Sequence, residues 1–221
     1  MRISDDRYSR DFRSFHLALR MLRHEARTNT ISTWTGISPE RVRNLSKSHR
    51  RQESAQDTER HRGPSPSQLA PLLTNPGLRS EVAAMAGLCR VLGVVPDQPV
   101  ADARKRLPSI TNGERLCFAL ELLREVVPAS RLSFEQAVLL VYALAECERW
   151  SVDHCTSCRA LILVDRLCLQ RRVCVHCQRE ARARKKDNAV VEEPIMEADE
   201  AVDGEGVQQD LFAKPAHVSS R

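Results

Sequence analysis

Four of the eight cysteines in this 221-residue chain are spaced for chemistry. Cys155-Thr156-Ser157-Cys158 is followed, fifteen residues later, by Cys174-Val175-His176-Cys177. The pattern C-x2-C-x15-C-x2-C is the spacing of a zinc site. Zn²⁺ takes four soft or borderline ligands in a tetrahedron, with Zn–S about 2.3 Å. Two residues between cysteines let a tight knuckle aim both sulfurs at one ion. An intervening hairpin would bring the second knuckle back to complete the tetrahedron. Four thiolates leave no open position, so one structural zinc ion per chain is expected and no catalytic one. In so small a lobe the metal would supply much of the folding free energy. Four unrelated core cysteines, or a dithiol redox pair, explain the double spacing less well. His154, Cys168 and His176 lie near enough to stand in for a ligand. Cys168 otherwise reads as an apolar hairpin residue. Cys89, Cys117 and Cys147 read as buried core.

A second constellation suits nucleic acid. Residues 28–48 carry a helix-turn-helix pattern, with Gly36 at the turn and Ile37 buried after it. The second helix of such a unit lies in the major groove and reads bases near its start. The outward residues there are Glu40, Arg41, Arg43, Asn44 and Lys47. Arginine reads guanine bidentately and asparagine reads adenine. His49, Arg50 and Arg51 follow and suit phosphates. Arg171, Arg172, Arg179, Arg182, Arg184, Lys185 and Lys186 surround the second cysteine pair and would grip a DNA backbone without reading sequence. The plain alternatives are a three-helix packing unit with a solvated basic face, and a solvated charge run.

Charge distribution sharpens this. The net charge is +5. Residues 1–51 carry 12 basic and 5 acidic side chains, residues 52–170 carry 13 and 14, residues 171–186 carry 7 and 1, and residues 187–221 carry 2 and 9. Two basic segments, a neutral middle and an acidic tail point to a polyanionic partner.

The elements that must position these groups are helical. Aromatics are 4% of the chain and glycines number 8, which disfavours an aromatic β-sandwich and a glycine-rich nucleotide fold. Tyr8, Phe12, Phe15, Leu19 and Leu22 recur at helical steps and predict one apolar face of a helix over 5–26, capped by Ser4 or Asp5. A short segment runs through 28–35. Ser38 and Pro39 open the next helix, with Val42 and Leu45 inward. Periodicity vanishes over 49–68. Helices follow over 78–92, then from a capping box at Thr111-Asn112-Gly113-Glu114, then from another at Ser133-Phe134-Glu135-Gln136. Two β-like runs, 160–164 and 167–173, are each flanked by a cysteine pair.

The expected fold is mainly α: helix-turn-helix-like helices and a helical bundle, then a small four-cysteine zinc-ribbon lobe and a disordered tail. The divisions are a helical segment over 1–50, a linker over 51–75, the bundle over 76–150, the zinc lobe with its basic extension over 151–186, and the acidic tail over 187–221. No apolar run reaches the length of a membrane span, and the start has no apolar signal core, so the expected location is the cytoplasm.

Taken in this order, the parts resemble the FlhC family, the zinc-binding subunit of the bacterial flagellar master transcriptional activator. The resemblance covers residues 8–186. It rests on Leu17-Ala18-Leu19-Arg20-Met21-Leu22 leading into Thr35-Gly36-Ile37-Ser38-Pro39-Glu40-Arg41-Val42-Arg43, on the Arg62-Gly63-Pro64-Ser65-Pro66 loop, and on the four cysteines with the basic stretch after them. It implies zinc at Cys155, Cys158, Cys174 and Cys177. It also implies an FlhD-like helical partner in a hetero-oligomer, promoter DNA as target, and activation through RNA polymerase. The chain departs from the pattern in a longer loop around 52–62, in lacking a glycine-rich turn between the cysteine pairs, and in its long acidic tail. It therefore reads as a divergent member. Relatives also control conjugative-transfer genes on mobile elements, so the regulon is flagellar or of that kind. The alternative is a zinc-ribbon protein–protein adaptor with incidental basic patches. No carboxylate cluster or Ser/His/Asp arrangement stands out, and no enzymatic activity is expected.

Overall fold

Ser14, Leu17, Ala18, Met21 and His24 form the buried stripe at the start of the chain. All but His24 lie on α1 (Asp5–Arg23). In the computed structural model the described residues are 5–52, 65–168 and 172–191, with side chains over 8–49, 65–168 and 172–184. The proposed cap residue Ser4, most of the 51–75 linker's first half and the tail beyond 191 lie outside them. The remaining helices are α2 (Thr28–Thr35), α3 (Pro39–Gln52), α4 (Ala70–Thr74), α5 (Pro76–Val91), α6 (Ala103–Arg106), α7 (Ile110–Val126), α8 (Phe134–Glu146) and α9 (Val175–Val191). Strands β1 (Trp150–His154) and β2 (Leu161–Asp165) pair antiparallel, from Trp150 opposite Asp165 to His154 opposite Leu161. The architecture is mainly helical with a small four-cysteine lobe. Residues Met1–Ala183 form one unit and Arg184–Arg221 another. The fold and sites below belong to the first.

The buried face of α1 is not the aromatic stripe that periodicity suggests. Tyr8 and Phe12 are 71% and 62% exposed, and Phe15 and Leu22 are half-buried. A parallel stripe of slimmer residues faces the core because α1 crosses α7 at Gly113. A β-carbon there would lie 2.7 Å from Leu17 Cδ2 and 3.1 Å from Met21 Cε. The helices meet where one carries no side chain, and bulky rings could not enter so close a crossing. Arg13–Glu114 and Arg20–Glu121 ion pairs flank the crossing. α1 also stops at Arg23 rather than 26. Glu25 takes a left-handed φ of 58°, which turns the chain into α2.

Core residues from α1, α2 and α3 join those of α5, α7 and α8 in one cluster. Buried Trp34 donates its indole N–H to Tyr142 Oη at 3.0 Å and ties α2 to α8. α8 begins as expected, with Ser133 and Gln136 forming a reciprocal capping box. α7 begins two residues earlier than expected. Its cap is Ser109, whose Oγ accepts the Asn112 N–H at 3.2 Å, and not Thr111. Asn112 instead turns its side chain back to the Leu107 carbonyl at 2.9 Å. Helices α4 and α6 are too short to leave a periodic signal. Cys89 and Cys117 are fully buried, which pushes both thiols up to about 12. Cys147 is half-buried, in a left-handed conformation at the end of α8.

Candidate metal centre and nucleic-acid interface

The hairpin of the lobe precedes the place assigned to it. The strands are 150–154 and 161–165, so the first cysteine pair sits at the hairpin tip. The expected run over 167–173 is not a strand among its described residues. Leu167 lies in a turn, and Arg172 and Val173 approach α9 without regular structure. The alternation around the first pair belongs to one hairpin that encloses it, rather than to one between the pairs.

The tip is a knuckle. Cys155 N–H donates to the Ala160 carbonyl at 2.8 Å and Arg159 N–H to the Cys155 carbonyl at 3.0 Å. Arg159 closes the turn in the left-handed region, φ 63°. The second pair straddles the start of α9. Cys174 precedes its first residue, and Cys177 lies in its first turn. Cys177 N–H points at Cys174 Sγ at 3.4 Å, and Cys174 N–H points at Cys155 Sγ at 3.3 Å. Thr156 N–H and Oγ–H both donate to the Arg172 carbonyl, at 2.9 and 3.2 Å, and hold the two halves together.

All four sulfurs lie within 4.8 Å of one another, and Cys158 and Cys174 are 3.6 Å apart. A tetrahedron with about 2.3 Å metal–sulfur bonds has sulfurs about 3.8 Å apart, so the set fits a thiophilic divalent cation. The acidities agree with that. Backbone N–H groups, Cys174's first, hold Cys155 down to about 6. The facing thiols of Cys158 and Cys174 push Cys177 up to about 12. Four crowded thiols cannot all ionise without a cation among them. His154, Cys168 and His176 are outside the group. Cys168 is exposed in a turn beside Asp165 rather than an apolar strand residue, and His176 pairs with Glu180 at 3.1 Å.

Two helices joined by a short turn, α2 and α3, lie where the pattern was read. α2 ends at Gly36, whose φ of 73° turns the chain while its N–H returns to the Ser32 carbonyl at 2.9 Å. Ile37 is buried. Ser38 caps α3, its Oγ accepting the Arg41 N–H at 3.4 Å. Val42 is fully buried and Leu45 packs against the core, while Glu40, Arg41, Arg43, Asn44 and Lys47 are exposed. Arg41 stacks its guanidinium over the Phe15 ring at 4.8 Å. Arg50 and Arg51 lie on α3, but their side chains are outside the described residues.

Arg172 pairs with Asp153 at 2.6 Å, Arg179 and Arg182 are exposed on α9, and Arg171 and the side chain of Lys185 lie outside the described residues. No helix among the described residues is long and apolar enough to cross a membrane.

Two features escaped the sequence reading. Buried Glu135 on α8 accepts the Arg27 N–H and the Thr30 Oγ–H, both at 2.8 Å, and so caps α2 from across the core. His24 Nε2 meets Glu121 at 2.9 Å and its Nδ1 meets Arg124 at 3.0 Å. Only an acid at Glu135, in an otherwise apolar helix face, hinted at the first. Nothing local signalled the second.

A scan against protein-family models finds no match, and no curated protein matches the chain.

Proposed function

We propose that this chain is a DNA-binding transcriptional activator subunit of the FlhC type, with one structural zinc ion held by Cys155, Cys158, Cys174 and Cys177. The observation that carries the reading is α3. Its apolar residues are buried against α1 and α2, while Arg43, Asn44 and Lys47 stand exposed near its start. Arg41, held by Phe15, frames that face. The zinc would brace the cysteine lobe, and its closed thiolate shell offers no site for hydrolytic chemistry. The resemblance supplies the rest: an FlhD-like helical partner, and flagellar or mobile-element transfer operons activated through RNA polymerase in the bacterial cytoplasm.

One observation favours the adaptor alternative. Arg172 pairs with Asp153, so a phosphate there would compete with that carboxylate. A salt titration of duplex binding by fluorescence anisotropy separates the two readings. Arg41 and Lys47 as phosphate contacts, with Arg43 reading a base, predict a slope of log affinity against log salt of about −1.8, at about 0.9 per phosphate neutralised. A flat dependence favours the adaptor.

A further inference from the structure

Among the described residues β2 has a strand partner on one edge only, β1. Cys155 N–H reaches the Ala160 carbonyl and Arg166 N–H the Arg149 carbonyl, each at 2.8 Å, at the two ends of the hairpin ladder. In that register Ile162 and Val164 turn their backbone groups toward β1. Leu161 and Leu163 turn theirs the other way. Among the described residues no hydrogen bond reaches them on that side. Leu163 is 3% exposed, so its backbone groups have little access to water. Buried backbone donors and acceptors are nearly always paired.

This edge borders a groove of about 570 Å³ between β2, the start of α5 and the first turn of α9. Four consecutive residues, 160–163, line it. A strand presents consecutive residues to one cavity only along its edge. Ala83, Ala84 and Val175 give the groove an apolar floor. Arg79 and Arg179 stand at its rim, and neither has an acidic partner among the described residues. No carboxylate lines it.

We infer that this groove binds an extended, acidic-flanked apolar segment of a partner protein, added as a third strand on the edge of β2 away from β1. Strand addition satisfies the Leu161 and Leu163 backbone groups. Alternate apolar side chains fill the floor, and carboxylates at the ends meet Arg79 and Arg179. DNA fits less well, because a phosphate backbone gains nothing from an alanine and valine floor. The inference needs no DNA and stands apart from the function proposed above.

The test uses the full-length protein and a fluorescein-labelled peptide of alternating valine and threonine with aspartate at both ends. A matching peptide with lysine ends is the control. The acidic peptide should bind about tenfold more tightly than the control. Its binding should slow hydrogen exchange at the Leu163 amide. Ala84→Trp fills the groove from an exposed position and should weaken the peptide by about tenfold or more. Arg79→Glu serves as a second variant, read the same way, should Ala84→Trp lower the melting temperature. Equal binding of both peptides, an unprotected Leu163 amide, or indifference to both substitutions overturns the proposal. So does a short DNA duplex that loses affinity in Ala84→Trp while the peptide fails to bind.

Discussion

Glu135 is the test of how α2 and α3 are held in place. α2 has no side-chain cap of its own. Its entry is held by a carboxylate from α8, 7% exposed, that accepts from the Arg27 backbone N–H and the Thr30 hydroxyl at 2.8 Å each. Glu135→Ala removes both acceptors and leaves two donors facing a small void. Loss of a cap costs about 0.5–2 kcal/mol. A hydrogen bond to a charged group contributes about 1.5–3 kcal/mol. The two descriptions overlap, so the expected loss is about 3 kcal/mol for alanine. Glu135→Gln keeps one acceptor and the volume, and should cost about 1 kcal/mol. Urea denaturation followed by far-UV circular dichroism measures both. Because α2 sets the placement of α3, duplex affinity should fall in the same order. An alanine variant within about 0.5 kcal/mol of the parent, the scatter of ordinary surface changes, would refute the idea that Glu135 anchors the helix-turn-helix.

Other outcomes follow from the same structure. Burial, helped by neighbouring Arg124 and Arg20, holds His24 below its ordinary 6.5 despite Glu121. The unfolded chain then takes up a proton before the folded one, so stability should fall as pH drops below 6.5, and His24→Gln should flatten that limb of a pH–urea series. Gly36→Ala meets no atom within 4 Å, so its loss of about 1–2 kcal/mol by thermal melting measures the left-handed backbone alone. Cys174→Ser should lower bound zinc well below one per chain by elemental mass spectrometry, and a stoichiometric variant would remove Cys174 from the ligand set.

Most of the site was legible because its signals are local. Two CxxC pairs, a glycine at a turn and a Ser-Pro helix start each encode geometry within a few residues, and the structure forms all three. The capping box at Ser133 was legible for the same reason. What failed depends on partners distant in sequence. The aromatic stripe Tyr8–Phe12 is more hydrophobic than the stripe the core uses, but Gly113, a hundred residues away, admits only Leu17 and Met21. The hairpin was misplaced because Trp150-Ser151-Val152-Asp153-His154 alternates weakly, and its strand character comes from pairing with 161–165. The edge of β2 away from β1 and the Glu135 cap are tertiary facts with no local pattern.

The most direct test of DNA recognition through α3 is a salt titration of duplex binding by the full chain beside its Arg43→Ala/Lys47→Ala variant. Each lost phosphate contact lowers the slope of log affinity against log salt by about 0.9. If Arg43 reads a base and Lys47 a phosphate, the account predicts a slope shallower by about 0.9. It also predicts that specific binding suffers more than non-specific binding. An unchanged slope with unchanged affinity would contradict it.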